Sequence, residues 1–155
     1  MLKEMLRSFA RSASRGTYYS KLYKVRGVNP DTKRKKTVEV VAASDASEEV
    51  VTGKSGLLPP FEVMEGVGVP DEGQLNLAKK YGVNIPSDAD AMDARLLLQR
   101  CFDGVASFRP ITGRVIDYAI ENNVYIPKYA SLEEARDFLL EYAPEKEKEI
   151  KELCR

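Results

Sequence analysis

Residues 74–100, QLNLAKKYGVNIPSDADAMDARLLLQR, and residues 118–142, YAIENNVYIPKYASLEEARDFLLEY, carry one pattern twice at an offset of 41 positions. At that offset Ala78 meets Ala119, Val83 meets Val124, Ile85-Pro86 meets Ile126-Pro127, Ala89 meets Ala130, Ala94-Arg95 meets Ala135-Arg136 and Leu98 meets Leu139. The matches fall where backbone geometry is decided. Gly82 and Asn123 are residue types that accept the left-handed conformation in which helices end. A proline keeps the residue before it out of the helical region, so each Ile-Pro pair predicts an extended link. Asp90 with Asp93, and Ser131 with Glu134, have the spacing of a capping box that reopens a helix. Each copy therefore predicts a helix, a link and a second helix, with Ile85 and Ile126 buried where the links cross. Two such pairs can share one core.

Outward from the repeat toward the N-terminus, residues 17–28 (TYYSKLYKVRGV) and 36–43 (KTVEVVAA) are rich in aromatic and β-branched residues. Asn29-Pro30-Asp31-Thr32 between them is a turn signal, so they predict a hairpin with Lys33 to Lys36 on its descending arm. Asp45 with Glu48 predicts a capped short helix ending at Gly56, and Phe61-Glu62-Val63 a third strand after Pro59-Pro60. At the start of the chain, Leu2, Met5, Leu6, Phe9 and Ala10 fall near helical spacing, with Lys3, Arg7, Arg11 and Arg15 mostly around the other side. That is a basic amphipathic helix with an Arg- and Ser-rich look shared by mitochondrial presequences, although Glu4 is out of place there. Beyond the repeat, EKEKEIKELC after Pro144 predicts a last charged helix anchored by Ile150 and Leu153. The expected fold class is α+β: an N-terminal basic helix (1–16), a small ββαβ unit (17–69), two helix-loop-helix repeats (70–142) and a C-terminal helix (143–155).

Composition narrows the function. With 43% hydrophobic and 31% charged residues in 155, the chain reads as globular, and no apolar run approaches the roughly 20 residues that span a bilayer. No membrane is expected as a partner. Two cysteines, Cys101 and Cys154, make neither a disulfide framework nor a metal motif, and reduced cytoplasmic thiols follow. The net charge of zero conceals a split. Through Lys36 eleven basic residues stand against Glu4 and Asp31, a balance of +9, so the remainder carries −9. A basic end that meets nucleic acid and two halves that neutralise each other, within a chain or by self-association, both fit this split.

Chemistry-bearing motifs are few. Gly53-Lys54-Ser55 ends like a phosphate loop, yet Glu48 stands where that loop needs its first glycine, and a helix precedes it instead of a strand. The chain has no histidine, the commonest general base near neutral pH. Asp88, Asp90 and Asp93 sit where helix capping explains them. Cys101, late in an apolar helix, reads as a buried thiol. No catalytic residue, metal ligand or cofactor is expected, and the chain reads as a binding protein. Lys33-Arg34-Lys35-Lys36 with Arg7, Arg11 and Arg15 form the candidate nucleic-acid-binding set, with Tyr18, Tyr19 and Tyr23 able to stack bases. Lysines on a sheet edge also keep strands from pairing with strangers, and the tyrosines fit a core equally well.

The repeat at 74–142 resembles a tandem helical region of small bacterial and phage proteins, some of which also carry a HIRAN domain, a small β-fold associated with DNA ends. The 17–66 unit departs from HIRAN in its ββαβ order. The resemblance implies a bacterial or phage setting and a role in DNA transactions or in disabling a host protein. Two functions are carried forward: a nucleic-acid-associated accessory protein, and a protein-binding inhibitor or adaptor whose acidic helical part covers its target.

Overall fold

The computed structural model describes residues 18–104 and 109–155. The described chain opens on strands, which corrects the expected order in which a helix comes first. β1 (Ser20–Val28) and β2 (Lys35–Ala43) form an antiparallel hairpin, α1 (Glu48–Ser55) follows, and β3 (Leu58–Glu65) returns to pair with β1. The sheet order is β2-β1-β3. The helix expected over 1–16 lies outside the described residues. Four helices come next: α2 (Glu72–Tyr81), α3 (Ala91–Asp103), α4 (Gly113–Glu121) and α5 (Leu132–Tyr142). A 3-10 turn (Pro144–Lys146) leads into α6 (Glu147–Leu153). No helix among the described residues is long and apolar enough to cross a membrane.

Strand alternation sorts the sheet's two faces. Val25, Val40 and Ala42 are buried against Val51 of α1, with Tyr23, Val38, Phe61 and Val63 packed around them. The cap of α1 is Ser47, whose hydroxyl accepts from Val50 N, and not Asp45. β3 runs through Pro59 and Pro60, longer than the strand expected from Phe61 to Val63. It lies at the sheet edge, where a missing N–H costs no ladder bond.

The two helix pairs repeat their backbone hydrogen bonds at the same offset as their residues. Val83 N donates to Ala78 O and Val124 N to Ala119 O, both at 2.8 Å. Ala89 N reaches Pro86 O at 3.1 Å, and Ala130 N reaches Pro127 O at 3.0 Å. Asp90–Asp93 and Ser131–Glu134 both close full capping boxes. Burial differs between the pairs. Ile126 is buried, whereas Ile85, expected to match it, is only half-buried. The main core belongs to the second pair: Val115, Ile116, Ala119, Ile126, Ala135 and Leu139, completed by Ile150 and Cys154. Cys101, expected to be buried, is exposed, because no element among the described residues covers its side of α3.

The sheet and the second pair interlock. Ser20 Oγ donates to Ile126 O at 2.8 Å and accepts from Ile126 N at 3.2 Å. At the outer edge of β2, Val41 N donates to Asn123 Oδ1 at 2.8 Å, and Val41 O accepts from Lys54 Nζ at 2.6 Å. That pair of bonds closes the edge against strand addition at this point. It also gives the Gly-Lys-Ser motif its structural use, since the Lys54 ammonium is spent on carbonyls. Asn123 holds φ at 55°, a conformation that favours asparagine over alanine. Asn123→Ala should therefore lose about 2–3 kcal/mol in urea denaturation, from backbone strain and the unpaired Val41 N–H. Asn123→Gly should recover the strain portion only. Equal losses in the two variants would refute this assignment.

Candidate nucleic-acid interface

A tightly held turn aims the basic run outward. Asn29 Oδ1 accepts from Asp31 N at 2.8 Å and Thr32 N at 3.3 Å. Lys33 N donates to Asn29 O, and Asn29 N to Arg34 O, each at 2.8 Å. Lys33 takes a positive φ of 61° to close the loop. Lys33, Arg34, Lys35 and Lys36 are all exposed at this tip, at the end of the hairpin far from α4.

The register extends the basic surface beyond the sequence-predicted run. Val28 pairs with Lys35, Arg26 with Thr37, and Lys24 with Glu39. Lys24, Arg26 and Lys35 thus share the sheet face opposite α1. α4 covers that face only near its other end, where Ser20 and Val41 are buried. Among the described residues, none of Lys24, Arg26, Lys33, Arg34, Lys35 or Lys36 is held in an ion pair. Some cations elsewhere are paired: Lys21 with Glu65 at 2.8 Å, Arg109 with Glu133 at 2.7 Å, Lys128 with Asp88 at 2.5 Å. The bond to Glu65 also raises the Lys21 pKa, despite some desolvation. Glu39 stands opposite Lys24 and Glu62 opposite Arg26, so the sheet face keeps only a small positive excess and the unopposed charge lies at the tip. Lys24 and Arg26 were missed in the sequence, although their spacing of two on a strand was the available signal.

The structure does not bring the tyrosines to the tip. Tyr23 packs under α1, Tyr18 packs on the second helix pair, and Lys128 Nζ sits 4.9 Å above the Tyr19 ring. Tyr18 and Tyr19 lie at the start of β1, about 30 Å along the strand from the turn, and Tyr23 lies mid-strand on the face opposite that of Lys24 and Arg26. Arg7, Arg11 and Arg15 lie outside the described residues.

A second polar cluster joins the two helix pairs. Asp88, Asp90 and Asp93 of the first bond to Tyr125, Lys128 and Tyr129 of the second, and all of these but Tyr129 line a cavity of about 90 Å³. The Tyr125 hydroxyl donates to Asp90 and the Tyr129 hydroxyl to Asp88. Asp93 accepts from Tyr129 N at 2.9 Å and from Asp90 N at 3.0 Å. Burial pushes its carboxyl up to about 6. The bonds to Lys128 and Tyr129 hold Asp88 below the usual carboxylate range. Burial and the bond to Asp90 push the Tyr125 hydroxyl upward. Each of these carboxylates is engaged in holding the links together, and the cluster acts as a joint. No group of three His, Cys, Asp or Glu among the described residues is arranged to hold a metal ion.

The first helix pair also presents apolar side chains. Leu75 is 49% exposed and Phe102 52%, whereas Ile116 and Ala143, 41 positions later, are 2% and 5% exposed. Tyr81 and Phe102 meet edge to face at 5.2 Å on that surface. No protein-family model matches this chain, and neither a curated protein nor a solved structure is found to be similar to it.

Proposed function

We propose that the protein is a non-catalytic, nucleic-acid-associated accessory protein that holds phosphates on the hairpin tip and the open face of its sheet. The observation that carries this reading is the set of six basic side chains, Lys33 to Lys36 at the hairpin tip with Lys24 and Arg26 on the adjoining sheet face, none of them in an ion pair among the described residues. Phosphate backbones recognise such a surface through released counterions, which makes binding steeply salt-dependent. The acidic helical part leaves the far end free for a protein contact. A cytoplasmic, bacterial or phage setting is proposed with it, on the tandem-helix resemblance.

Binding to mixed-sequence nucleic acid at about 50 and 200 mM salt tests the reading. Replacing Lys33, Arg34, Lys35 and Lys36 by alanine together should lower the low-salt affinity and reduce the logarithmic salt slope by about 3–4, roughly one unit per lost phosphate contact. The urea midpoint should hold, because all four side chains are solvated. Absence of low-salt affinity, or affinity indifferent to salt, would sink the reading.

The exposed Leu75, Leu77, Tyr81 and Phe102 favour a second reading, a protein-binding adaptor or inhibitor. A stoichiometric protein captured from a bacterial lysate by the wild type, and lost with Tyr81→Asp plus Phe102→Asp, would support it. Capture that survives both changes would count against it.

A further inference from the structure

β3 parts from β1 beside the basic tip. Val63 pairs with Val25 and Glu62 with Arg26, but the next partner of β1 is Leu58, opposite Val28. Pro59, Pro60 and Phe61 therefore arch past Gly27, an irregularity of the kind that re-aims side chains at sheet edges. Gly27 is required there. A Cβ would stand 2.9 Å from both Leu57 Cβ and Leu58 O, and 3.1 Å from Phe61 Cδ1. The arch leaves a notch of about 210 Å³ lined by Arg26, Gly27, Lys35, Pro60, Phe61 and Glu62.

We propose that this notch takes one unstacked nucleotide, so that the nucleic acid bound is single-stranded. The inference rests on the nucleic-acid reading and narrows it. Arg26 and Lys35 are exposed cations that meet the phosphates on either side of the nucleotide. The exposed Pro60 ring and the part of the Phe61 ring that is not packed on the core under α1 offer the apolar surface on which a base packs, in a manner tolerant of sequence. Glu62 is an acceptor only, suited to the exocyclic amino group of cytosine, adenine or guanine. Bases in a duplex stay stacked inside and cannot enter; a single strand lays one in the notch and runs its backbone along Lys33 to Lys36.

Fluorescence anisotropy on the full chain separates the alternatives, using a labelled mixed-sequence single strand and the matching duplex at the same low salt. The single strand should bind at least about ten-fold tighter. Phe61→Leu keeps an apolar side chain at this position and removes the ring. It should weaken single-strand binding by about ten-fold, within the range for loss of one stacked base, and leave the duplex unaffected. Lys35→Glu, a solvated position that folding tolerates, should weaken the single strand by more than the duplex. Equal affinities for the two ligands, with Phe61→Leu silent in a folded variant, would overturn the notch and spare the nucleic-acid reading. Absence of binding to either ligand would overturn both.

Discussion

Truncation of Ile126 to alanine lowers the unfolding free energy by about 2–5 kcal/mol, the range of buried aliphatic truncations. The side chain is 2% exposed in the main core, and its own N–H and C=O are both tied to Ser20. A cavity there loosens two contacts at once, because the second link carries both the helical core and the seam with the sheet. Ile85→Ala at the matched position should cost about half as much or less, since that residue is only partly withdrawn from water. Urea denaturation of the two variants makes the comparison. Equal costs would mean that the two links are equivalent in packing as well as in backbone.

Raising the pH from 4 to 7 costs the protein stability through Asp93. The unfolded carboxyl loses its proton near pH 3.9. In the folded chain burial raises it to about 6, so the folded state holds an extra proton between those values. The contribution is fully present below about pH 4 and is lost as pH rises through 6, amounting to about 3 kcal/mol. Asp88, whose carboxyl is held low by Lys128 and Tyr129, works in the opposite direction: its contribution is present above pH 4 and lost below. Unfolding free energies measured from pH 4.5 to 7 on wild type and Asp93→Asn isolate the effect. The amide does not titrate, and the variant should lose this downward slope. Identical slopes in the two proteins would show that Asp93 does not titrate in this window.

The candidate interface was only half legible. A run such as Lys33 to Lys36 is visible in any sequence, and a turn signal beside it says that it protrudes. Membership of Lys24 and Arg26 depends on the register of β1 against β2, and the notch depends on where β3 abandons its pairing. Both are set by contacts between strands. The tyrosines show the converse: Tyr18 and Tyr19 are a strand's length from the turn, because a hairpin places the start of β1 far from its own tip, and Tyr23 beside Lys24 points to the opposite face.

What the sequence determined by itself is local. The ends and restarts of the four paired helices follow from Asn123, Gly82, the two Ile-Pro pairs and the capping residues, each acting on backbone within about five positions. Burial was decided only by tertiary structure. Leu75 and Ile116 occupy matched positions, yet one is exposed and the other enclosed, and Cys101 lies open on its helix. The reason is that burial belongs to whatever arrives from elsewhere in the chain. β1, β2 and α6 close over the second helix pair, while the first pair receives no such cover among the described residues.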